Sequence, residues 1–155
     1  MTLTVPAEWA PHRAMWLGFP SHEELWEDNL GLAQAEVAAL ARALAGPGRE
    51  RVRLMTGTPE GEVDARRLLG DVPGLEIVPG RFGDIWLRDT GPVFAKTPTA
   101  AAALGFKFNG WGGKYLMDGD REIGAELAAD AGLPVETADW VLEGGALDEI
   151  GRAHV

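Results

Sequence analysis

The sequence predicts an α/β fold built of strand–helix units with local hairpins. Two observations carry this. Over the first eighty or so positions, short apolar runs alternate with segments whose apolar residues recur every three or four positions, the pattern of strands exchanging with amphipathic helices. Between residues 75 and 108 that alternation breaks, and several strand-like runs follow one another, which argues against a plain doubly wound sheet. A third observation sets the scale: 155 residues with 46% apolar and 25% charged side chains suffice for a real core.

Taken in order, Ala14-Met15-Trp16-Leu17-Gly18-Phe19-Pro20 reads as a buried strand closed by proline. Ser21 and Glu24 make a capping-box pattern at the start of a helix. That helix carries Trp26, Leu30, Ala33, Val37, Leu40 and Leu44 on one face and ends at Gly46-Pro47-Gly48. Arg51-Val52-Arg53-Leu54-Met55 alternates polar and apolar, the signature of a second strand. Thr58-Pro59 opens a short helix through Leu69, and Gly70 closes it. Leu75 to Pro79 is a third strand. Ile85-Trp86-Leu87 and Pro92 to Ala95 are expected to be extended on either side of Arg88-Asp89-Thr90-Gly91. Ala101 to Phe108 forms another strand after a turn at Thr97-Pro98-Thr99. A helix from Gly119 to Ala131 should point Ile123, Leu127 and Ala131 inward, with Gly132 and Pro134 ending it. Val135-Glu136-Thr137 and Trp140-Val141-Leu142 are the last extended pieces.

Composition narrows the function classes. The net charge is −10, from 24 acidic and 14 basic residues, which disfavours nucleic acid or an anionic membrane as a partner and suits a cationic substrate. No apolar run spans a bilayer, and the N-terminus has neither a basic start nor an apolar h-region. The chain contains no cysteine, so disulfides and thiolate metal sites are excluded. A cytoplasmic location is expected. His12, His22 and His154 lack metal-ligand spacing, and no phosphate loop, dinucleotide fingerprint or nucleophile elbow is present. Neither a metal nor a cofactor is expected.

Three constellations bear chemistry. Asp89 follows an apolar run and precedes the turn signal Thr90-Gly91-Pro92. A guanidinium is bound well by a carboxylate joined to an aromatic face, and Trp86 lies three positions before Asp89. Two structural alternatives compete. Asp89 can bond nearby backbone amides as turn aspartates do, or pair with Arg88. Strict strand alternation puts Trp86 and Asp89 on opposite faces, so they share a pocket only if the chain turns after Arg88. Glu143 precedes Gly144 and Gly145, which permit close approach beside the carboxylate; an ordinary hairpin with an exposed glutamate is the alternative. Asn109-Gly110-Trp111-Gly112-Gly113 reads as a mobile or backbone-donating loop, or as a plain turn.

Taken together these residues resemble the agmatine deiminase family, which includes bacterial-type peptidylarginine deiminases. Four stretches carry the resemblance, in order: Pro6 to His12 with Trp16 to Pro20; Trp86 to Pro92; Phe108 to Lys114; and Leu142 to Ala146. The resemblance implies a pentein fold, a five-bladed α/β propeller, of which this chain holds less than half. It implies hydrolysis of a guanidinium to a ureido group with release of ammonia, through attack by a cysteine thiolate helped by a histidine. By the same resemblance Asp89 and Glu143 are acidic residues that clamp the substrate nitrogens, and Trp86 lines the site. The family's histidine–aspartate motif and its late cysteine have no counterpart here, and the flanks of His154 do not match that histidine. Catalytic residues are therefore expected to be absent, and the chain alone inactive. Residues 1–148 are read as the N-terminal part of one deiminase domain, and 149–155 as a tail foreign to it. Agmatine is the first substrate expected, in putrescine biosynthesis, with peptidyl or free arginine as the enzymatic alternative. A catalytically inactive guanidinium-binding or assembly module is the alternative of another class.

Overall fold

The computed structural model describes residues 3–11 and 13–147. Two compact units make up the chain: His12–Leu87, and Met1–Pro11 together with Arg88–Val155. The sequence-expected tail 149–155 lies outside the described residues.

The first unit is a parallel sheet in the order β1 (Met15–Phe19), β2 (Val52–Thr56), β3 (Leu75–Pro79). Helices α2 (Leu30–Ala45) and α3 (Pro59–Leu69) connect the strands, after a short α1 (Glu23–Trp26) and a 3-10 turn (Glu27–Asn29). Phe19, Val52 and Leu54 of the strands close a core with Ala38, Ala41, Ala65 and Leu69 of the helices. Small residues on the helices let them lie close on the sheet, and burial of this kind dominates the unit's stability. Thr58 caps α3 by accepting the Gly61 amide at 3.0 Å, with Pro59 in the first turn and Gly70 at the end in a positive-φ conformation, as its sequence signals require.

Three expectations for this unit need correction. The capping box fails because Ser21 is used elsewhere: its hydroxyl donates to the Phe19 carbonyl at 2.7 Å and accepts the Gly57 amide at 3.0 Å, tying the ends of β1 and β2 together. The expected single helix is broken at Glu27, whose φ of 47° interrupts it, and α2 turns Gln34, Ala38 and Ala41 inward while Leu40 stays exposed. Gln34 belongs inside because its amide donates to the Pro20 carbonyl at 3.1 Å and to Asp64 at 3.3 Å. Ile85-Trp86-Leu87 is not a strand; the chain bends there and enters the single turn α4 (Leu87–Thr90).

The second unit is a mixed sheet in the order β4 (Val93–Lys96), β5 (Ala101–Lys107), β6 (Val135–Val141). β4 and β5 form an antiparallel hairpin; β5 and β6 are parallel, joined through α6 (Ile123–Asp130). The two extended pieces expected at the end are thus one strand, and the last helix starts later than expected. Ile123, Leu127 and Ala128 are its buried residues. Thr4 bridges Lys96 by two backbone hydrogen bonds of 2.8 and 2.9 Å, which ties residues 3–11 to this unit.

Candidate active site

Asp89 sits in α4 as a half-buried residue. Neither structural alternative raised by the sequence holds. Arg88 does not pair with it; the Arg88 guanidinium forms an ion pair with Glu8 at 2.7 Å and donates to the Leu147 carbonyl at 3.4 Å. Nearby backbone amides do not occupy it either. Its one hydrogen bond among the described residues comes from the indole N–H of Trp111, with Nε1 3.3 Å from Oδ2. Among those residues no lysine, arginine or histidine forms an ion pair with Asp89.

The Glu143-Gly144-Gly145 segment lies directly against Arg88-Asp89. A Cβ on Gly144 would overlap the Arg88 carbonyl oxygen, and one on Gly145 would stand 2.8 Å from Asp89 Oδ1. A side chain at 144 would push the two backbones apart, and one at 145 would displace the Asp89 carboxylate, so this close approach accounts for both glycines. Glu143 is half-buried, in extended backbone at the cap of a 3-10 turn (Gly144–Ala146), and not at the tip of a hairpin. Among the described residues its carboxylate has no hydrogen-bond or ion-pair partner. The acidic motifs thus converge within one unit, through backbone contact, and each brings a carboxylate that no cation among the described residues compensates. Leaving such groups partly desolvated and unpaired costs free energy, which a cationic ligand can recover.

Trp111 is the site residue that sequence reasoning missed. It lies in α5 (Gly110–Gly113), a single turn in which Trp111 has φ 52° and ψ 51° and Gly112 has φ 79°. A bulky side chain in the left-handed region costs on the order of 1–3 kcal/mol and persists only where its surroundings over-determine it. Those surroundings are visible. Asn109 Oδ1 accepts the Gly112 amide at 2.9 Å, and Gly110, at φ 67°, has no room for a Cβ beside the Tyr115 carbonyl. Phe108 meets the indole edge to face, with centroids 4.9 Å apart. The Gly-rich run therefore forms a hydrogen-bonded turn whose one indole bonds Asp89.

Trp86 belongs to the other unit and is described there. Its indole N–H donates to Asp84 Oδ2 at 2.9 Å, and the residue is 49% exposed. Asp84 Oδ1 accepts the Ile85 amide at 2.7 Å, so it is Asp84, not Asp89, that behaves as the turn aspartate. His22 lies in the same unit, within 3.1 Å of the Phe82 carbonyl and 3.4 Å of Glu24. Among the described residues no cluster of three or more His, Asp or Glu side chains is arranged to hold a metal ion, and no helix is long and apolar enough to cross a membrane.

Residues 4–155 match the model of the Porphyromonas-type peptidyl-arginine deiminase family. The chain belongs to that family. Its relatives include the agmatine deiminase of Stutzerimonas stutzeri, 36% identical over 96% of this chain and 41% of the relative. The agmatine deiminase of Pseudomonas putida is 33% identical over 97% of this chain and 42% of its own length. Among solved structures, an agmatine deiminase of Enterococcus faecalis superposes with a TM-score of 0.85 at 22% identity, over 97% of this chain and 42% of that one. The fold is therefore that of the agmatine deiminases, α/β with one parallel and one mixed sheet, and the family is one of hydrolytic enzymes. The chain spans less than half the length of these relatives.

Proposed function

We propose that this chain contributes the acidic, guanidinium-binding part of a deiminase site, and that agmatine is its substrate. The reaction is agmatine plus water to N-carbamoylputrescine plus ammonia, a cytoplasmic step toward putrescine. The observation that carries the reading is the Asp89 carboxylate: half-buried, bonded by an indole, beside Gly145, and left without a cation among the described residues. A guanidinium stays protonated at any physiological pH, so a site for it must supply negative charge and planar hydrogen-bond acceptors. Asp89 and Glu143 supply both. Relatives named agmatine deiminases support the choice of substrate over peptidyl or free arginine.

Binding by carboxylates does not by itself hydrolyse the bond. A guanidinium carbon is a poor electrophile, and the thiolate route that the family resemblance implies divides the difficult step through a covalent adduct. This chain has no cysteine, so the nucleophile and its histidine partner come from polypeptide outside it. In this reading the two units are part of a five-bladed propeller completed by that polypeptide.

The test is ammonia release from agmatine, by the purified chain and by a longer form carrying the cysteine. The chain alone should bind agmatine weakly and release no ammonia at an enzymatic rate. The longer form should turn over, and Asp89→Asn in it should abolish most of that turnover. Turnover by the chain alone would refute the assigned chemistry. Preference of the longer form for a peptidyl or free arginine over agmatine would reassign the substrate.

A further inference from the structure

We infer that Trp111 is the positioning residue of Asp89: its indole N–H fixes which carboxylate oxygen is left open for a ligand. The inference uses the guanidinium-site reading only for the choice of ligand; the positioning itself stands on geometry. Trp111 Nε1 lies 3.3 Å from Asp89 Oδ2, while Oδ1 lies beside the Gly145 backbone, 2.8 Å from where a Cβ would be. The indole thus holds one oxygen, and the absence of a Cβ at Gly145 leaves space beside the other. An aspartate on a short exposed turn ordinarily samples several rotamers, and a ligand that needs one of them pays to select it. Trp111 removes that selection in advance.

The indole can do so because its own position is determined by backbone. Trp111 occupies a left-handed conformation between Gly110 and Gly112, both at positive φ, and Phe108 packs against its ring at 89°. The Asn109 side chain and carbonyl accept the Gly112 and Gly113 amides, each at 2.9 Å, which closes the turn beneath the ring. The ligand's donors then meet Oδ1 and the remaining lone pair of Oδ2, since an ionised carboxylate has about four acceptor sites and the indole takes one.

The experiment reads Asp89 directly. In the wild-type chain, the Asp89 Hα–Hβ couplings should report one rotamer, and in Trp111→Phe, which keeps a ring against Phe108 but loses the donor, they should average. Averaged couplings in the wild type, or unchanged ones in the variant, would overturn the proposal. The chain offers an internal control, because Trp86 bonds Asp84 in the same manner. Asp89→Ala should move the Trp111 indole signal and leave that of Trp86 in place; the opposite pattern also overturns the assignment. Agmatine then serves as the ligand probe. Trp111→Phe should weaken its binding about tenfold, the equivalent of one well-made hydrogen bond to a charged group. In an Asp89→Ala background the same substitution should change nothing further, since a residue acting through Asp89 has nothing left to act on. Additive losses would show that Trp111 acts on its own. If agmatine does not bind at all while the couplings behave as stated, the substrate reading fails and the positioning stands.

Discussion

Each unit joins an aromatic ring to a carboxylate, and the two units use the pair in opposite ways. In the parallel unit, Trp16, Arg53 and Glu76 are aligned across β1, β2 and β3. The Arg53 guanidinium lies 4.5 Å from the Trp16 ring centroid and its Nε 3.1 Å from the Glu76 carboxylate. This unit supplies its own guanidinium to its own aromatic and acid. In the mixed unit the Trp111 indole N–H bonds Asp89 directly with no guanidinium between them, and Arg88, next to Asp89 in sequence, pairs with Glu8. The difference teaches where to look for function. A carboxylate with an internal cation is part of the structure, whereas one without is available to a ligand.

The largest effect expected from this comparison is on ligand binding. Asp89→Asn should cost agmatine affinity about 2–5 kcal/mol, the range for removing one partner of a desolvated charge pair. Glu76→Gln, which removes the other carboxylate, should leave agmatine affinity unchanged. Calorimetric titration of both variants checks the contrast. Equal losses would mean that the two carboxylates are not functionally distinct.

A second contrast, of intermediate size, concerns the frame that holds Trp111. Gly110 and Gly112 both have positive φ, but a Cβ on Gly110 would overlap the Tyr115 carbonyl, while nothing lies within 4 Å of one on Gly112. Gly112→Ala should therefore cost only the conformational strain, about 1 kcal/mol. Gly110→Ala adds a backbone clash and should cost about 3 kcal/mol or more. Urea melts followed by tryptophan fluorescence read the difference, and comparable values for the two variants would contradict the described turn.

These contrasts also show which parts of the molecule the sequence makes legible. Local signals with a single outlet were readable. Thr58-Pro59 and Gly70 bound α3 because a cap, a first-turn proline and a C-terminal glycine have few other uses. Ser21 misled because its hydroxyl had a distant competitor in the Gly57 amide, which no local pattern reveals. The face of α2 was misplaced by the same kind of long-range preference, Gln34 being held inside by Pro20 and Asp64. Asp89 and Glu143 stood out by motif, and the structure brings their segments together. Whether Arg88 pairs with Asp89 is not legible in the sequence, since its partner Glu8 is far away along the chain. Trp111 was passed over because Asn-Gly and Gly-Gly read as turn chemistry, and a tryptophan in the left-handed region leaves no signature of its own. The one signal that could have found it is the run of positive-φ-tolerant glycines flanking one aromatic.

The smallest expected effect lies in the parallel unit's own ladder. Glu76 has 62% of its side chain exposed, while Arg53 has 23%, so water and salt screen the ion pair on its Glu76 side. An exposed pair of this kind contributes at most about 1 kcal/mol, and an arginine over a tryptophan adds about 0.5–1 kcal/mol where partly exposed. Glu76→Gln should thus lower stability by less than about 1 kcal/mol, and by less still in 1 M salt, where the Debye length falls to about 3 Å. The cation–π contact should be less sensitive to salt, because the Arg53 guanidinium lies 4.5 Å from the ring centroid and its side chain is only 23% exposed. A double-mutant cycle of Trp16→Leu with Arg53→Met separates the two contributions. Its coupling should survive salt while that of Arg53 with Glu76 fades. A Trp16–Arg53 coupling near zero would mean that the internal guanidinium is merely adjacent to its ring, and the analogy with a ligand guanidinium in the mixed unit would lose its physical basis.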